Sequence, residues 1–139
     1  MSVPAPSVPT MSSRELIESF WAAMQANDWE GAAGCLSPEV VVDWPCSGEQ
    51  ILGRRDFVAI QADYPSNTGR WHFEVHRLLA DGDTVVSEVT VTDGEQSARV
   101  VAFSEVEDGQ VVHQVEYWPN AYEPPPGREG LTRPGERLP

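Results

Sequence analysis

The fold is decided by the stretch from Arg70 to Trp118, which is RWHFEVHRLLADGDTVVSEVTVTDGEQSARVVAFSEVEDGQVVHQVEYW. It contains four runs in which apolar and polar residues alternate, separated by Asp81-Gly82, Asp93-Gly94 and Asp108-Gly109. Asp-Gly between alternating runs is a strong hairpin signal, because glycine readily adopts the positive φ of tight turns. The stretch therefore predicts four antiparallel strands joined by three hairpins.

The residues before this stretch predict a layer of helices. Ser12 and Glu15 have the spacing of a capping box, which begins a first helix. Apolar residues then recur at helical spacing and form one stripe. The members of this stripe are Leu16, Ile17, Phe20, Trp21 and Met24.

Three further elements are predicted between the first helix and Arg70. A short second helix extends from about Trp29 to Cys35, and an apolar strand follows from Val40 to Trp44. Pro45 to Gly53 is predicted to be a loop. A third helix extends from about Arg54 to Tyr64 and ends before Pro65, as helices usually do.

The two ends of the chain are rich in proline and lack hydrophobic periodicity. Residues 1–11 are predicted to form a flexible tail, and residues 123–139 a Pro-rich C-terminal tail. Residues 12–122 remain as one domain, which is what a chain of 139 residues normally forms.

Composition excludes several classes of partner. The formal net charge is −13, which disfavours binding to nucleic acid. No apolar run approaches the roughly eighteen residues of a membrane-spanning helix, and no signal peptide is recognisable. Cys35 and Cys46 do not make a disulfide framework, so we expect reduced thiols and a cytoplasmic location. The histidines and cysteines lack the spacing of metal ligands, and no cofactor is indicated.

Several segments resemble the SnoaL-like branch of the nuclear-transport-factor-2-like superfamily. They are RELIESFWAAMQANDWEGAAGCLSPEVVVDWP near the start, GRRDFV at 53–58, HRLLADGDTVVSEVTV at 76–91 and FSEVEDGQVVHQVEYWP at 103–119. The resemblance implies an α+β fold, in which a cone-shaped curved antiparallel sheet packs against three N-terminal helices and encloses a pocket. The superfamily includes isomerases, polyketide cyclases, epoxide hydrolases, dehydratases and non-catalytic binding domains, so the fold alone does not assign a reaction.

Strand periodicity predicts which residues face this pocket, because alternate residues share a face. Val40, Val42 and Trp44 form an apolar face that we place inward, with Asp43 opposite. In the next strand one face carries Trp71, Phe73, Val75 and Leu79. If the Asp81-Gly82 turn is a three-residue loop with a bulge, the following strand presents Val85, Ser87, Val89 and Val91 inward.

The last strand is ambiguous, because a bulge of one residue would exchange its two faces. Counting registers through bulged turns favours an inward face made of Val111, His113, Val115 and Tyr117. The resemblance favours the other face, since epoxide-hydrolase-like relatives place an acid at the position of Glu116. We adopt this second face, which carries Val112, Gln114, Glu116 and Trp118.

Glu116 is the leading catalytic candidate, because burial in an apolar pocket would raise its pKa towards neutrality. The alternative is that Glu116 is an ordinary carboxylate on the protein surface. Asp43 is the second candidate, because ketosteroid-isomerase-like relatives carry a catalytic Asp in this strand just before a Pro. Here Trp44 precedes Pro45, which displaces Asp43 by one position and favours the rim or the solvent.

Two other constellations of the superfamily are incomplete or improbable. The epoxide-hydrolase-like arrangement needs an Arg and an Asp where this chain has Val89 and Val91. A dehydratase-like pair of His113 and Asp43 would require both side chains to face inward. A surface or interface position is the simpler interpretation of each histidine.

The predicted ligand is a small apolar molecule, because the inward positions are rich in flat apolar rings. The candidate binding residues are Trp21, Trp44, Trp71, Phe73, Ser87, Val89, Gln114 and Trp118. The sequence thus predicts either a cofactor-independent acid/base isomerase or cyclase, or a non-catalytic ligand-binding or dimeric interaction domain. A homodimer is expected, since a second copy would cover the open sheet face.

Overall fold

The structure is a computed structural model that describes residues 11–139. The predicted flexible tail, except Met11, lies outside the described residues. The three helices are α1 (Ser13–Gln25), α2 (Trp29–Ala33) and α3 (Arg54–Asp63). The six strands are β1 (Leu36–Trp44), β2 (Glu49–Leu52), β3 (His72–Asp81), β4 (Thr84–Thr92), β5 (Ser97–Glu107) and β6 (Gln110–Tyr117).

The strands form one sheet in the order β2-β1-β6-β5-β4-β3. The four predicted hairpin strands, β3 to β6, are neighbours in sequence and in space. All neighbouring strands are antiparallel except β1 and β6, which are parallel. The α+β fold with helices packed against a curved sheet is confirmed, and the only parallel strand pair among the described residues is where β1 joins the hairpin strands.

The first helix begins as predicted. The Ser12 hydroxyl accepts a hydrogen bond from the Glu15 backbone N–H, and the Glu15 carboxylate accepts one from the Ser12 N–H. All five residues of the predicted apolar stripe are buried. Because α1 packs against β3 and β4 while α3 packs against β1 and β2, the helices cover one face of the sheet.

The predicted loop between Pro45 and Gly53 is wrong in its second half, which forms the edge strand β2. The strand is four residues long, and only Ile51 in it is buried. A run this short offers too little alternation for a sequence pattern to detect. Its hydrogen bonds to β1, in a register that pairs Val42 with Ile51, define it instead.

The predicted inward face of β3 is wrong at its C-terminal end, because the strand contains a β-bulge. Val75 pairs with Val89, but Arg77 pairs with Glu88, so His76 is an extra residue. The bulge exchanges the faces beyond it. Leu79, predicted to point inward, is therefore 67% exposed, and Leu78 packs against the core instead.

The first hairpin turn is also shorter than predicted. Asp81 pairs directly with Thr84, which leaves a two-residue loop where a three-residue loop with a bulge was expected. The inward face predicted for β4 is nevertheless correct. Its four residues, Val85, Ser87, Val89 and Val91, are all buried.

The last strand contains the bulge that decides its face. Val106 pairs with Val111, whereas Glu105 pairs with His113, so Val112 is the extra residue in β6. Val111, Gln114 and Glu116 are buried, while Tyr117 is exposed. The adopted inward face is therefore correct for Gln114 and Glu116. It is wrong for Val112, since Val111 is the buried residue at that end of the strand.

The C-terminal residues contain no helix or strand beyond Tyr117. They are largely exposed, and Arg137 contacts the Glu123 carboxylate at 3.1 Å. No helix in residues 11–139 has the length and apolar character required to cross a membrane.

The turn between β4 and β5 is fastened to the segment that follows α3. The Asp93 carboxylate accepts hydrogen bonds from the backbone N–H groups of Glu95 and Gln96, at 2.9 and 2.8 Å. It also accepts one from the Ser66 hydroxyl at 2.7 Å. These bonds, led by that from Gln96, hold the pKa of Asp93 well below its ordinary value, against the opposing effect of desolvation.

We predict that Asp93→Asn lowers the free energy of unfolding at pH 7, because an amide cannot accept all the hydrogen bonds that the carboxylate accepts. A carboxylate with a lowered native pKa stabilises the fold above its unfolded-state pKa of about 4, and this contribution is lost at lower pH. The stability difference between the two proteins, measured by urea unfolding, should therefore narrow as the pH falls below about 4. A stability difference between wild type and Asp93→Asn that does not depend on pH would contradict the stabilising role of the ionised Asp93 carboxylate.

A buried hydrogen bond fastens α1 to the sheet. The Trp21 indole N–H donates to the Ser87 hydroxyl at 2.9 Å, and both side chains are buried. We predict that Ser87→Ala costs about 1–3 kcal/mol in urea unfolding, because it leaves the indole N–H without an acceptor. The matched control is the same change in a Trp21→Phe background, where the loss should be smaller. An equal loss in both backgrounds would contradict the importance of this bond.

Candidate functional site

The helices and the inner face of the sheet enclose an open cavity of about 350 Å³. Its polar lining residues lie mainly at the mouth, which loops and strand ends form. Six aromatic side chains line the cavity: Trp21, Trp44, Tyr64, Trp71, Phe73 and Trp118. The remaining lining residues are Met24, Cys46, Ser47, Glu49, Gln61, Val91, Gln96, Ser97, Ala98, Glu116 and Asn120.

Glu116 is the buried acid of this cavity, with 5% of its surface exposed. Its Oε1 accepts hydrogen bonds from the indole N–H groups of Trp44, at 2.7 Å, and Trp118, at 3.3 Å. Its Oε2 accepts one from the Gln114 side-chain amide at 2.6 Å. Three neutral N–H groups thus hold the carboxylate, and no Arg or His forms an ion pair with it in the described part of the chain.

Gln114 is itself held in place by Ser104 on the neighbouring strand. The Ser104 hydroxyl lies 2.8 Å from Gln114 Oε1, and both residues are buried. Because the hydroxyl donates to the amide oxygen, the amide nitrogen is turned towards Glu116. Ser104, Gln114 and Glu116 therefore form one buried hydrogen-bonded chain that ends at the cavity.

The protein environment raises the proton affinity of Glu116. Burial raises the pKa of Glu116 above its ordinary value, and the hydrogen bonds from Trp44, Gln114 and Trp118 oppose this effect. A carboxyl group with a raised pKa exchanges protons closer to neutral pH, which is what general acid/base catalysis requires.

The predicted binding residues divide into two groups. Trp21, Trp44, Trp71, Phe73 and Trp118 line the cavity, as expected from their inward positions. Ser87, Val89 and Gln114 also point inward, but they are buried beneath the cavity and do not line it. The inward face of these three residues is predicted correctly, whereas their depth depends on how the helices pack.

Asp43 is not brought into the cavity. It lies on the outer face of the sheet, where His113 Nε2 approaches its Oδ2 at 2.6 Å and Gln50 donates to its Oδ1 at 2.7 Å. These hydrogen bonds, that from His113 first, lower the pKa of Asp43. Alternation along β1 turns Asp43 away from Trp44, as predicted, and this position gives no support to Asp43 as a catalytic candidate in the cavity.

His113 and Asp43 contact each other, but on the outer face of the sheet and not facing inward, as a dehydratase-like pair would require. β1 and β6 are parallel neighbours, and both residues face away from the helices. The pair is partly exposed, with side-chain exposures of 43% for His113 and 30% for Asp43. It therefore has no access to the ligand cavity.

Several lining residues were not predicted from the sequence. Gln61 and Tyr64 come from the end of α3 and the residue after it, Gln96 precedes β5, and Asn120 follows β6. Polar residues in such positions carry no periodic signal. Ser104 was also missed, although its inward parity in β5 could have indicated it once the register with Gln114 was known.

Comparison with known proteins agrees with this architecture. The profile of the SnoaL-like domain family matches residues 17–114. No curated protein matches the sequence significantly. A crystal structure from Kribbella flavida DSM 17836, provisionally named a ketosteroid isomerase, has 36% identity and a TM-score of 0.82, with 89% of this chain and 90% of that chain covered.

Two further solved structures share the fold. An NTF2-like protein of unknown function from Burkholderia xenovorans LB400 has 27% identity and a TM-score of 0.73, covering 89% of this chain and 95% of that one. An LEH-like epoxide hydrolase from M. tuberculosis has 22% identity and a TM-score of 0.63, covering 77% and 82%. The chain belongs to the SnoaL-like domain family and has the fold of the nuclear-transport-factor-2-like superfamily.

Proposed function

We propose that the protein is a cofactor-independent acid/base enzyme, an isomerase or cyclase that acts on an apolar carbonyl compound. The observation that carries this proposal is the Glu116 carboxyl group, which is buried at an aromatic-lined cavity and has a raised pKa. The similarity to the Kribbella flavida structure, provisionally named a ketosteroid isomerase, supports the same class of reaction.

The proposed step is a proton transfer at a carbon next to the carbonyl group. The ionised Glu116 removes a proton from this carbon, and the C–H electron pair moves into the carbonyl group to form an enolate. The protonated Glu116 then returns the proton to the same or to a conjugated carbon. The three N–H groups keep the carboxylate in one orientation, which reduces the reorganisation that each transfer requires.

The hydrogen-bonded chain beneath Glu116 can accommodate both protonation states. When Glu116 is protonated on Oε2, rotation of the Gln114 amide lets its oxygen accept a hydrogen bond from the carboxyl O–H and its nitrogen donate to Ser104. The Ser104 hydroxyl can act as donor or acceptor, so it keeps a hydrogen bond to Gln114 in both states. Glu116→Gln keeps an oxygen that can accept from the Trp44 and Trp118 indoles and an N–H that can donate to the rotated Gln114 amide, so the variant should fold.

A non-catalytic binding domain is the second candidate. One observation favours it: both oxygens of Glu116 already accept hydrogen bonds within the protein, as those of a purely structural carboxylate would. In that case the cavity would bind apolar molecules without any proton transfer.

The deciding experiment is deuterium exchange at the α-carbon of cyclic and polycyclic ketones and enones, followed by mass spectrometry in D₂O. We predict that Glu116→Gln lowers the exchange rate by about 10²–10⁴-fold, the usual contribution of a general base, while ligand binding, measured by tryptophan fluorescence, persists. In the wild type, the rate should fall as the pH decreases through a pKa above the ordinary Glu value of about 4.3.

The matched control is Glu49→Gln, which removes the other acid that lines the cavity. Glu49 is exposed at the mouth, so its replacement should leave the exchange rate unchanged. An unchanged rate in Glu116→Gln would exclude the proposed base. Ligand binding without exchange for any compound would support the binding domain instead.

We also propose that the protein forms a homodimer through the outer face of the sheet. Phe103 and Tyr117 lie on this face, are 39% and 42% exposed, and pack edge-to-face at 6.1 Å. Val101 and Val115, which pair with Tyr117 and Phe103, extend the apolar surface. A second copy of the chain would remove these residues from water.

We predict twice the chain mass of 15.3 kDa in size-exclusion chromatography with light scattering. Phe103→Glu should shift the protein towards the monomer, because it places a charge in the proposed contact. As a control, Glu105→Gln changes a charged residue of the same strand outside the aromatic pair. A monomeric wild type at micromolar concentration would contradict the dimer.

A further inference from the structure

The charges that face the cavity are all of one sign. Among the described residues that line it, Glu49 and Glu116 are acidic, and none is an arginine or a histidine. The chain has no lysine, and its formal net charge is −13. Burial of Glu116 is therefore not compensated by any cationic side chain, and the field of the whole protein attracts cations.

The cavity walls supply the complementary surface for an organic cation. Six aromatic rings line the space around this acid, and four of them are indoles. The faces of aromatic rings, those of Trp most strongly, attract cations through their quadrupoles, and aromatic cages are a common means of recognising quaternary ammonium groups. An aromatic cage that contains a buried carboxylate without a cationic partner differs in this respect from a purely apolar pocket.

We propose that this cavity binds a lipophilic tertiary or quaternary ammonium ion, with the Glu116 carboxylate as its counter-ion and the aromatic rings as its cage. The ligand supplies the positive charge that the protein does not place beside Glu116. This inference goes beyond the proposed function, because it concerns the charge of a ligand in the same cavity and does not require turnover.

The hydrogen bonds of Glu116 select the type of ammonium ion. Trp44, Trp118 and Gln114 already donate to its two oxygens, so at most about one of roughly four lone-pair positions is free. A primary ammonium group has three N–H donors, and Glu116 has room to accept a hydrogen bond from only about one of them. A quaternary ion needs no acceptor and a tertiary ion needs one, and their methyl groups fit against the rings.

Binding of a permanent cation should depend on pH through Glu116. A nearby positive charge favours the ionised carboxylate and opposes the effect of burial. The other titratable residues that line the cavity are Cys46, Glu49 and Tyr64, at its mouth. The affinity for the cation should therefore rise with pH as Glu116 ionises, whereas the affinity for a neutral ligand of the same shape should not rise.

The experiment compares phenyltrimethylammonium with tert-butylbenzene, its neutral isostere of nearly the same size. Dissociation constants are measured by tryptophan fluorescence, which reports on the cavity because four of the five tryptophans line it. At pH 8 the wild type should bind the cation at least about tenfold more tightly than the isostere, the equivalent of about 1.4 kcal/mol. This preference should decrease at pH 5.

Glu116→Gln should remove most of the preference while it leaves tert-butylbenzene binding intact, which also shows that the cavity of the variant is folded. Glu49→Gln should lower the preference less than Glu116→Gln does, because solvent screens the charge of the exposed Glu49. Equal affinities for the two compounds in the wild type, or a preference that survives in Glu116→Gln, would overturn the proposal. Deuterium exchange of ketones is measured separately. If the protein exchanges ketones but shows no preference for the cation, the proposed enzyme remains and the cation site is excluded. If it prefers the cation but exchanges no ketone, only the proposed enzyme is excluded.

Discussion

The β-bulge at Val112 is the constraint on which the site depends. Without the extra residue, the side chains that follow it would lie on the opposite face of β6, and Glu116 would point away from the helices. With it, Val111 belongs to the core at one end of the strand, and Gln114 and Glu116 face inward at the other. A single inserted residue thus lets one strand both close the core and deliver an acid to the cavity.

The placement of Glu116 has an energetic cost that its neighbours offset. A buried carboxylate without a cationic partner is destabilising unless its oxygens are hydrogen-bonded. The indole N–H groups of Trp44 and Trp118 meet this requirement and also form part of the aromatic wall, so the same side chains serve both the acid and the ligand surface. The arrangement leaves the cavity negatively charged, which links the proposed proton transfer and the proposed cation binding to one group.

A shift of one residue along a strand decides whether a side chain lies in the cavity or on the outer face of the sheet. Asp43 and His113 meet at 2.6 Å, as a catalytic pair would, yet they do so on the face that carries Phe103 and Tyr117. One residue of displacement relative to the ketosteroid-isomerase-like pattern is enough to move Asp43 from the cavity to this surface.

By itself, the sequence determined the helices, the four hairpin strands and the inward face of β4, because capping residues, Asp-Gly turns and alternation act over a few neighbouring residues. Alternation also predicted that Trp44 and Trp71 face inward, whereas the inward position of Glu116 was adopted from the family resemblance. The bulges at His76 and Val112, the edge strand β2 and the depth of Ser87, Val89 and Gln114 were decided only by the tertiary structure. Bulges and edge pairing depend on hydrogen bonds between distant segments, and depth depends on helix packing, neither of which leaves a local pattern.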